Sequence, residues 1–318
     1  MSGTMRTTLV TGGAGFIGSH IVDALVARGD HVRVLDNLST GHRHNVEHHG
    51  DQVEFFEGDL NDYELVRQAV SGVDCIFHQA ALASVPRSVE APLDTNMACV
   101  TGTVSLLDQA RQAGVRRVVY AASSSAYGDQ PNSSKRETDL PSPLSPYAAA
   151  KLAAEHYLHA FYHTYGLETV AIRYFNVFGP RQDPDSPYSA VIPLFITRLL
   201  AGERPIVYGD GCQSRDFTFV ENVVHGNLLA ADVPSSIAGR TINVANGKST
   251  DLLHLIDKLN DLLGTDLQPE HQDPRAGDVR ESMADITLAR NLLGYEPKVG
   301  FDEGLRKSIE YYRQLILC

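Results

Sequence analysis

Tyr147 and Lys151 stand four residues apart in the run SPYAAAK, Ser145–Lys151. On a helix that spacing puts both side chains on one face, about one turn apart. The helix start is marked by Ser145, a capping residue, and by Pro146, which suits the first helical position. An ammonium held near a phenol favours the phenolate, and a phenol so tuned can take a proton from a hydroxyl near neutral pH. The run SSSAYG, Ser123–Gly128, lies at the end of an apolar stretch and offers Ser123 as a third group. A tyrosine base with a lysine helper fits oxidation of an alcohol, provided that a hydride acceptor lies beside it.

The N-terminal half supplies a place for one. Thr7–Thr11 (TTLVT) reads as a buried strand, and Phe16–Arg28 has helical periodicity. Gly12, Gly15 and Gly18 lie between and at the helix start, with Phe16 and Ile17 among them. Glycine is needed where such a turn is tight and where backbone approaches a pyrophosphate, and the helix N-terminus faces the phosphates with free N–H groups. The next strand, His31–Asp36, ends in an acid. A carboxylate there accepts from ribose hydroxyls and repels a 2′-phosphate, which predicts NAD rather than NADP. Further strands are expected at Val53–Glu57, Cys75–His78, Arg117–Ala122 and Thr169–Tyr174, alternating with helices at Asp62–Val70 and Asp94–Gly114. This alternation predicts an α/β fold with a doubly wound parallel sheet. Asp59, in Gly58-Asp59-Leu60 at a strand end, is placed to bond the adenine amino group. Gln79, Ala80 and Ala81, after the fourth strand, are small enough in sum to let a cofactor lie against backbone. His78 is read as a packing residue. The four histidines of Asn37–Gly50 are read as a solvated loop, since no carboxylate cluster accompanies them in sequence, and no metal is expected.

Composition bounds the partners. The 318 residues carry a formal net charge of −12, with 43% hydrophobic and 21% charged residues. An acidic chain of this kind lacks the basic surface that non-specific nucleic-acid binding needs. No apolar run reaches the length of a membrane span, the N-terminus enters a strand almost at once, and the four scattered cysteines have no metal-ligand spacing. A reduced, cytoplasmic protein is expected.

TGGAGFIG, Asp36, Gly58-Asp59-Leu60, SSSAYG and the Tyr147/Lys151 pair resemble the extended short-chain dehydrogenase/reductases that act on nucleotide sugars. The resemblance continues through RYFNVFGPRQDP (Arg173–Pro184), GDGCQSRDFTFVENVV (Gly209–Val224) and PRAGDVRESMADIT (Pro274–Thr287). Within that family the chain is most similar to the UDP-hexose 4-epimerases, nearest the bacterial subgroup that interconverts UDP-N-acetylglucosamine and UDP-N-acetylgalactosamine. The resemblance implies NAD as cofactor and a homodimer built from the Asp94–Gly114 helix and the Tyr147 helix. It implies catalytic roles for Ser123, Tyr147 and Lys151, and cofactor contacts from Gly12, Gly15, Ile17, Asp36, Asn37, Asp59, Leu60, Asn96 and Tyr174. Ser124 and Ser125 occupy the places where a sugar 4,6-dehydratase of the family carries an Asp-Glu pair, and two serines cannot do that acid–base work at neutral pH.

The second half is expected to hold the nucleotide sugar. From Val177 the prolines cluster, so residues 1–177 are read as the NAD-binding domain, with a return of 214–245, and 178–213 with 246–318 as a smaller C-terminal substrate lobe. Asn176 is expected at the diphosphate, and Tyr188–Pro193, with Ala190 and Val191, at the uridine. The short strand Pro205–Tyr208, with Val207 and Tyr208, clamps the uracil. Arg215 and Arg275 are the diphosphate clamps, since guanidinium matches phosphate oxygens with paired hydrogen bonds, and Asp278 orients a ribose or an arginine. Ser84 and Val85 join Ser123–Ser125 around the sugar. Ser282 falls where the epimerase pattern flanks the sugar C2 substituent; a small residue leaves room for an N-acetyl group. The alternatives are a UDP-glucuronate epimerase or decarboxylase, for which Arg87 is the candidate cation, and a non-catalytic NAD-binding regulator.

Overall fold

The computed structural model describes residues 6–130, 132–184, 190–274 and 280–317. The first half alternates strand and helix. β1 (Thr7–Thr11) leads through the glycine loop into α1 (Phe16–Arg28), then β2 (His31–Asp36) and β3 (Val53–Glu57). Asp62 caps α2 (Tyr63–Val70) by accepting from the Leu65 N–H at 3.0 Å, and β4 (Cys75–His78) follows. α3 (Val85–Glu90) and α4 (Pro92–Asn96) come next, then a wide π turn (Met97–Thr101) that runs into α5 (Gly102–Gln112). β5 (Arg117–Ser123) ends in a 3-10 turn (Ser124–Tyr127). β6 (Ser134–Lys135), α6 (Pro146–Tyr165) and β7 (Glu168–Tyr174) complete this half.

The second half is made of shorter pieces: β8 (Val177–Phe178), α7 (Val191–Leu200), β9 (Ile206–Tyr208), β10 (Ser214–Arg215), β11 (Thr218–Phe219) and α8 (Val220–Asp232). β12 (Arg240–Val244), β13 (Thr250–Asp251), α9 (Leu252–Leu263), β14 (Glu270–Gln272), β15 (Glu281–Ala284), α10 (Thr287–Leu293) and α11 (Phe301–Leu317) follow.

Seven strands form one parallel sheet in the order β12-β7-β5-β4-β1-β2-β3. β1 lies inside the sheet between β2 and β4, with Val10 opposite Val34 on one side and Phe77 on the other. The strand order reverses there, which opens a crevice at the carboxyl ends of the strands. Strands buried on both faces read as apolar runs, and successive residues serve opposite cores. Val10 packs with Ile21, Val22 and Leu25 of α1, whereas Leu9 packs with Leu106 and Leu107 of α5 and Leu158 of α6. A separate core of Phe178, Phe195, Phe217, Phe219 and Leu255 holds the smaller C-terminal lobe. A four-stranded sheet, β13-β10-β15-β6, joins that lobe to the segment that follows the 3-10 turn of Ser124–Tyr127.

The helix expected over Asp94–Gly114 is interrupted: the π turn inserts one extra residue per hydrogen-bonded ring at Met97–Thr101. Among the described residues no helix is long and apolar enough to cross a membrane.

Candidate active site

α6 begins as its sequence dictates. Ser145 accepts from the Ala148 N–H at 3.1 Å with Pro146 in the first turn. Alanines at 148, 150 and 154 let the helix lie close to the sheet. Lys151 is 3% exposed; its Nζ donates to the Ala121 carbonyl at 2.8 Å and lies 4.8 Å from the centre of the Tyr120 ring. The Tyr147 hydroxyl hydrogen-bonds Ser123 at the end of β5. Ser123 in turn accepts from the Ser125 hydroxyl at 2.8 Å and the Ser125 N–H at 3.2 Å. Ser125, expected as a sugar contact and as a place without the dehydratase carboxylate, also orients the Ser123 hydroxyl.

The electrostatics differ from the expectation that Lys151 lowers the tyrosine. Burial pushes Tyr147 up, the Cys99 thiol adds to this, and the Ser123 hydrogen bond is the pull downward. Desolvation therefore sets the direction for Tyr147, and burial likewise pulls the Lys151 ammonium down, against Cys99 and Glu155. His78 is the packing residue expected: buried on β4, it pairs with the Thr11 hydroxyl at 2.7 Å and the Thr103 hydroxyl at 2.9 Å, and burial lowers it to about 3.

Tyr147 and Lys151 open onto a cleft of about 310 Å³ at the carboxyl edge of the sheet. Its walls include Gly12, Gly15, Phe16, Ile17 and Gly18 from the glycine loop, Asp36 and Asn37 after β2, and Asp59 and Leu60 after β3. Gln79, Ala80 and Ala81 after β4, and Tyr174 at the end of β7, complete the expected set. Leu35, Ser39, Thr40, Leu82, Ala83, Ala121 and Ala122 also line it. Gly12 has a φ of +67°, and a Cβ there would lie 2.6 Å from the Ala80 nitrogen; a Cβ on Gly18 would lie 2.0 Å from the Gly12 carbonyl oxygen. The N–H groups of Phe16, Ile17 and Gly18 lack intrahelical acceptors by helix geometry. Loop, helix terminus and acid suit a dinucleotide. The Asp36 carboxylate is fixed by the Ala14 N–H at 2.9 Å and the Leu38 N–H at 2.8 Å. Burial raises it, against these two donors. Tyr174 is held by the Gln79 side chain at 3.1 Å and by Asn227 of α8 at 2.8 Å.

A second cavity, about 270 Å³, lies in the C-terminal lobe. Asn176, Ala190, Val191, Tyr208 and Arg215 line it as expected, with Gln213, Phe178, Phe195, Phe217 and Leu252. Asn176 holds a φ of +33°, a strained value for a residue with a side chain. Ser282 stands opposite Arg215 in the β10–β15 ladder, outside the cavity wall. Arg275, Asp278 and Tyr188 lie outside the described residues.

Four expectations are corrected. Asn96, the last residue of α4, is exposed and does not line the cleft; Ala98, in the π turn, does. Val207 is fully buried in the lobe core, and strand alternation turns Ile206 and Tyr208 to the cavity instead. The loop histidines do have a carboxylate partner: Asp23 of α1 lies 2.8 Å from His49 and 3.5 Å from His48, while its other oxygen pairs with Arg181 at 2.8 Å. Ser84 caps α3 by accepting from the Arg87 N–H at 3.2 Å, and Val85 is exposed; these residues and Arg87 line neither cavity.

Residues 8–245 match the NAD dependent epimerase/dehydratase family. A UDP-glucose 4-epimerase of Mycolicibacterium smegmatis is 42% identical over 311 residues, 96% of this chain and 98% of that protein. The solved structure of UDP-N-acetylglucosamine 4-epimerase from Methanobrevibacter ruminantium, in complex with UDP-N-acetylmuramic acid, has a TM-score of 0.94 at 40% identity. That match covers 98% of this chain and 100% of the other. The Thermus thermophilus UDP-glucose 4-epimerase, solved in complex with NAD, has a TM-score of 0.88 at 38% identity, over 97% and 99% of the two chains. The dinucleotide is NAD, and the chain belongs to the NAD-dependent epimerase/dehydratase family.

Proposed function

We propose that the protein inverts C4 of UDP-hexoses, with UDP-N-acetylglucosamine and UDP-N-acetylgalactosamine as its main pair and UDP-glucose and UDP-galactose also accepted. The observation that carries this reading is the Tyr147–Ser123 hydrogen bond beside the dinucleotide cleft, followed by a turn whose side chains are Ser124 and Ser125 rather than carboxylates. Such a site can move a hydroxyl proton but not eliminate water from C5 and C6.

NAD, when bound, supplies the hydride acceptor and donor and, in its oxidised form, a positive charge. The glycine loop, Asp36, Asn37, Asp59 and Leu60 hold it in this reading, with Lys151 at the nicotinamide ribose and Tyr174 near the ring. Tyr147, as phenolate, would take the proton from the 4-hydroxyl, directly or through Ser123, while the C4 hydride leaves to the bound nicotinamide. After the 4-keto sugar turns over, Tyr147 would return the proton to the 4-oxygen as the hydride comes back to the opposite face of C4, which inverts that carbon. That turnover needs a firmly held UDP and a loosely held sugar. Arg215, Asn176, Val191 and Tyr208 hold the nucleotide in the second cavity, and Ser282, opposite Arg215, leaves space for an N-acetyl group. Arg275 and Asp278 are assigned to the diphosphate and ribose by the resemblance alone. The exposed apolar side chains Leu93, Met97 and Tyr157, on α4, the π turn and α6, suit the packing of two copies, and we assign the protein as a homodimer on that ground.

A panel of UDP-N-acetylglucosamine, UDP-glucose and UDP-glucuronate, with product stereochemistry scored at C4, tests the reading. Inversion of the N-acetylated pair is expected. A 4-keto-6-deoxy product, or inversion confined to the uronate, would overturn it, as would a Tyr147→Phe variant with undiminished turnover.

A further inference from the structure

Asp216 lies between Arg215 and the β11 strand and has no accessible surface. Its carboxylate accepts the Asn246 N–H at 3.0 Å on one oxygen, and the Gly247 N–H at 2.9 Å and the Ala284 N–H at 3.2 Å on the other. The Lys248 N–H is a fourth donor. These donors belong to two segments: the turn after β12, and the end of β15, the strand paired with β10. The main chain of the same residue does two further things. Its N–H donates to the Ser282 carbonyl at 2.7 Å, and its carbonyl accepts from the Asn176 side chain at 3.5 Å. One residue therefore touches the neighbours of Arg215, Ser282 and the strained Asn176 together.

We propose that Asp216 is the positioning residue of the nucleotide-sugar cavity: its ionised carboxylate gathers backbone donors from two segments and so fixes the ladder that presents Arg215 and Ser282, and the turn that carries Asn176. This rests on the reading that Arg215, Asn176 and Ser282 serve the nucleotide sugar. A two-residue strand such as β10 has too few ladder bonds to set its own register firmly. A carboxylate has about four lone-pair sites, which these donors fill, and buried N–H groups that lose their acceptor are costly.

The arrangement has a pH signature. Burial pushes Asp216 up to about 7 while the backbone donors pull it down. Once protonated, the carboxyl accepts fewer of the four bonds, so the grip on substrate weakens as pH falls through about 7. Tyr295 faces the carboxylate; its hydroxyl is on the Ala245 carbonyl at 2.9 Å, and burial and the Asp216 charge both push it up. Charged groups on the packed elements are Arg215 on its own strand, Lys248 on the turn, and Glu281 and Asp285 at the two ends of β15. Asp285 is committed to the Thr287 N–H and Arg136. The described residues that line the cavity include no histidine, aspartate or glutamate. His271 of β14 is the imidazole to control for, its ring on the Gly209 carbonyl at 2.7 Å.

The test uses the NAD-loaded enzyme with UDP-glucose, whose doubly esterified diphosphate has no ionisation near neutrality, and compares the wild type with Asp216→Asn, Arg215→Ala and His271→Gln. Asp216→Asn is expected to raise KM by about tenfold or more with kcat changed by less than about twofold and NAD content unchanged. UDP-glucose affinity of the wild type and of His271→Gln should weaken several-fold between about pH 8 and about pH 6, and that of Asp216→Asn should be flat. Raised KM in Arg215→Ala with wild-type KM in a folded Asp216→Asn enzyme overturns the inference alone. Unchanged KM in Arg215→Ala removes the substrate assignment and the inference with it. If Asp216→Asn does not fold, the wild-type and His271→Gln profiles decide: a flat wild-type profile, or one abolished by His271→Gln, overturns it.

Discussion

Arg173 and Glu155 form a bidentate ion pair inside the protein, Nε to Oε1 at 3.1 Å and Nη2 to Oε2 at 2.7 Å, with side chains 4% and 5% exposed. Glu155 lies four residues beyond Lys151 on α6, and Arg173 immediately precedes Tyr174 on β7. The guanidinium also lies 4.5 Å from the centre of the Tyr127 ring. The pair therefore joins the helix of Tyr147 and Lys151 to the strand that delivers Tyr174. Glu155→Leu alone leaves a buried guanidinium uncompensated and should cost about 3–5 kcal/mol in denaturant unfolding. The double variant Glu155→Leu/Arg173→Met should regain most of that. A double variant as unstable as the single one would show that the pair's charges are not what sets the cost.

Ser282 offers a test of substrate choice. Ser282→Tyr fills the space assigned to the C2 substituent, so kcat/KM for UDP-N-acetylglucosamine should fall roughly 10- to 100-fold relative to that for UDP-glucose. Equal losses on both sugars would place Ser282 away from C2.

His78 makes a signed prediction about acid stability. Its folded pKa is lowered to about 3 from 6.5, so below about pH 6.5 the unfolded chain binds the extra proton and stability falls as pH drops toward 3. The full effect is about 4–5 kcal/mol. Asp216, raised to about 7, acts in the opposite sense: the stability that its protonated form contributes is lost as pH rises from about 4 to about 7. Unfolding free energies of the wild type and His78→Gln, measured at about pH 7 and about pH 5, separate the two. The variant should lose less stability on acidification, and an identical slope would remove His78 from the account.

Asp36 offers a test of dinucleotide choice. Removing its charge in Asp36→Ala should lower the preference for NAD over NADP by at least about tenfold, measured by nucleotide binding to protein freed of cofactor. Some loss of stability should accompany it, since the Ala14 and Leu38 N–H groups lose their acceptor. An unchanged preference would show that something other than the carboxylate excludes the 2′-phosphate.

The parts of this molecule that read directly from sequence are those whose determinants are local. The strand–glycine loop–helix unit of Thr7–Arg28 is set by residues adjacent in the chain, and the start of α6 by Ser145 and Pro146. Asn96 was placed by resemblance to a helix asparagine of the family, and a matched position does not carry the local exposure of the helix end on which it sits. Val207 misled because a three-residue strand gives no alternation long enough to orient. Asp23 and the loop histidines, 25 and 26 residues apart in sequence, meet only when α1 packs beside the turn that follows β2. Asp216 was hidden inside the SRDF motif, next to the more conspicuous Arg215; its partners come from residues 246–248 and 284, which no spacing rule connects to it. Tyr147 and Lys151 share one face of α6 as their four-residue spacing dictates, but the electrostatic balance of Tyr147 depends on burial, which comes from packing and not from spacing.

The wide turn at Met97–Thr101 divides one long helix into two stretches with different obligations. The outer stretch carries Leu93, 79% exposed, and the turn itself starts at Met97, 46% exposed. The inner stretch is locked beneath the sheet by Leu106, Leu107 and Ala110. Ala98 and buried Cys99 sit at the joint, Ala98 on the cleft wall and Cys99 in the core beneath it. The extra residue per ring at that point gives the outer stretch a facing of its own, while the register of the inner stretch against the sheet is held by its own buried leucines.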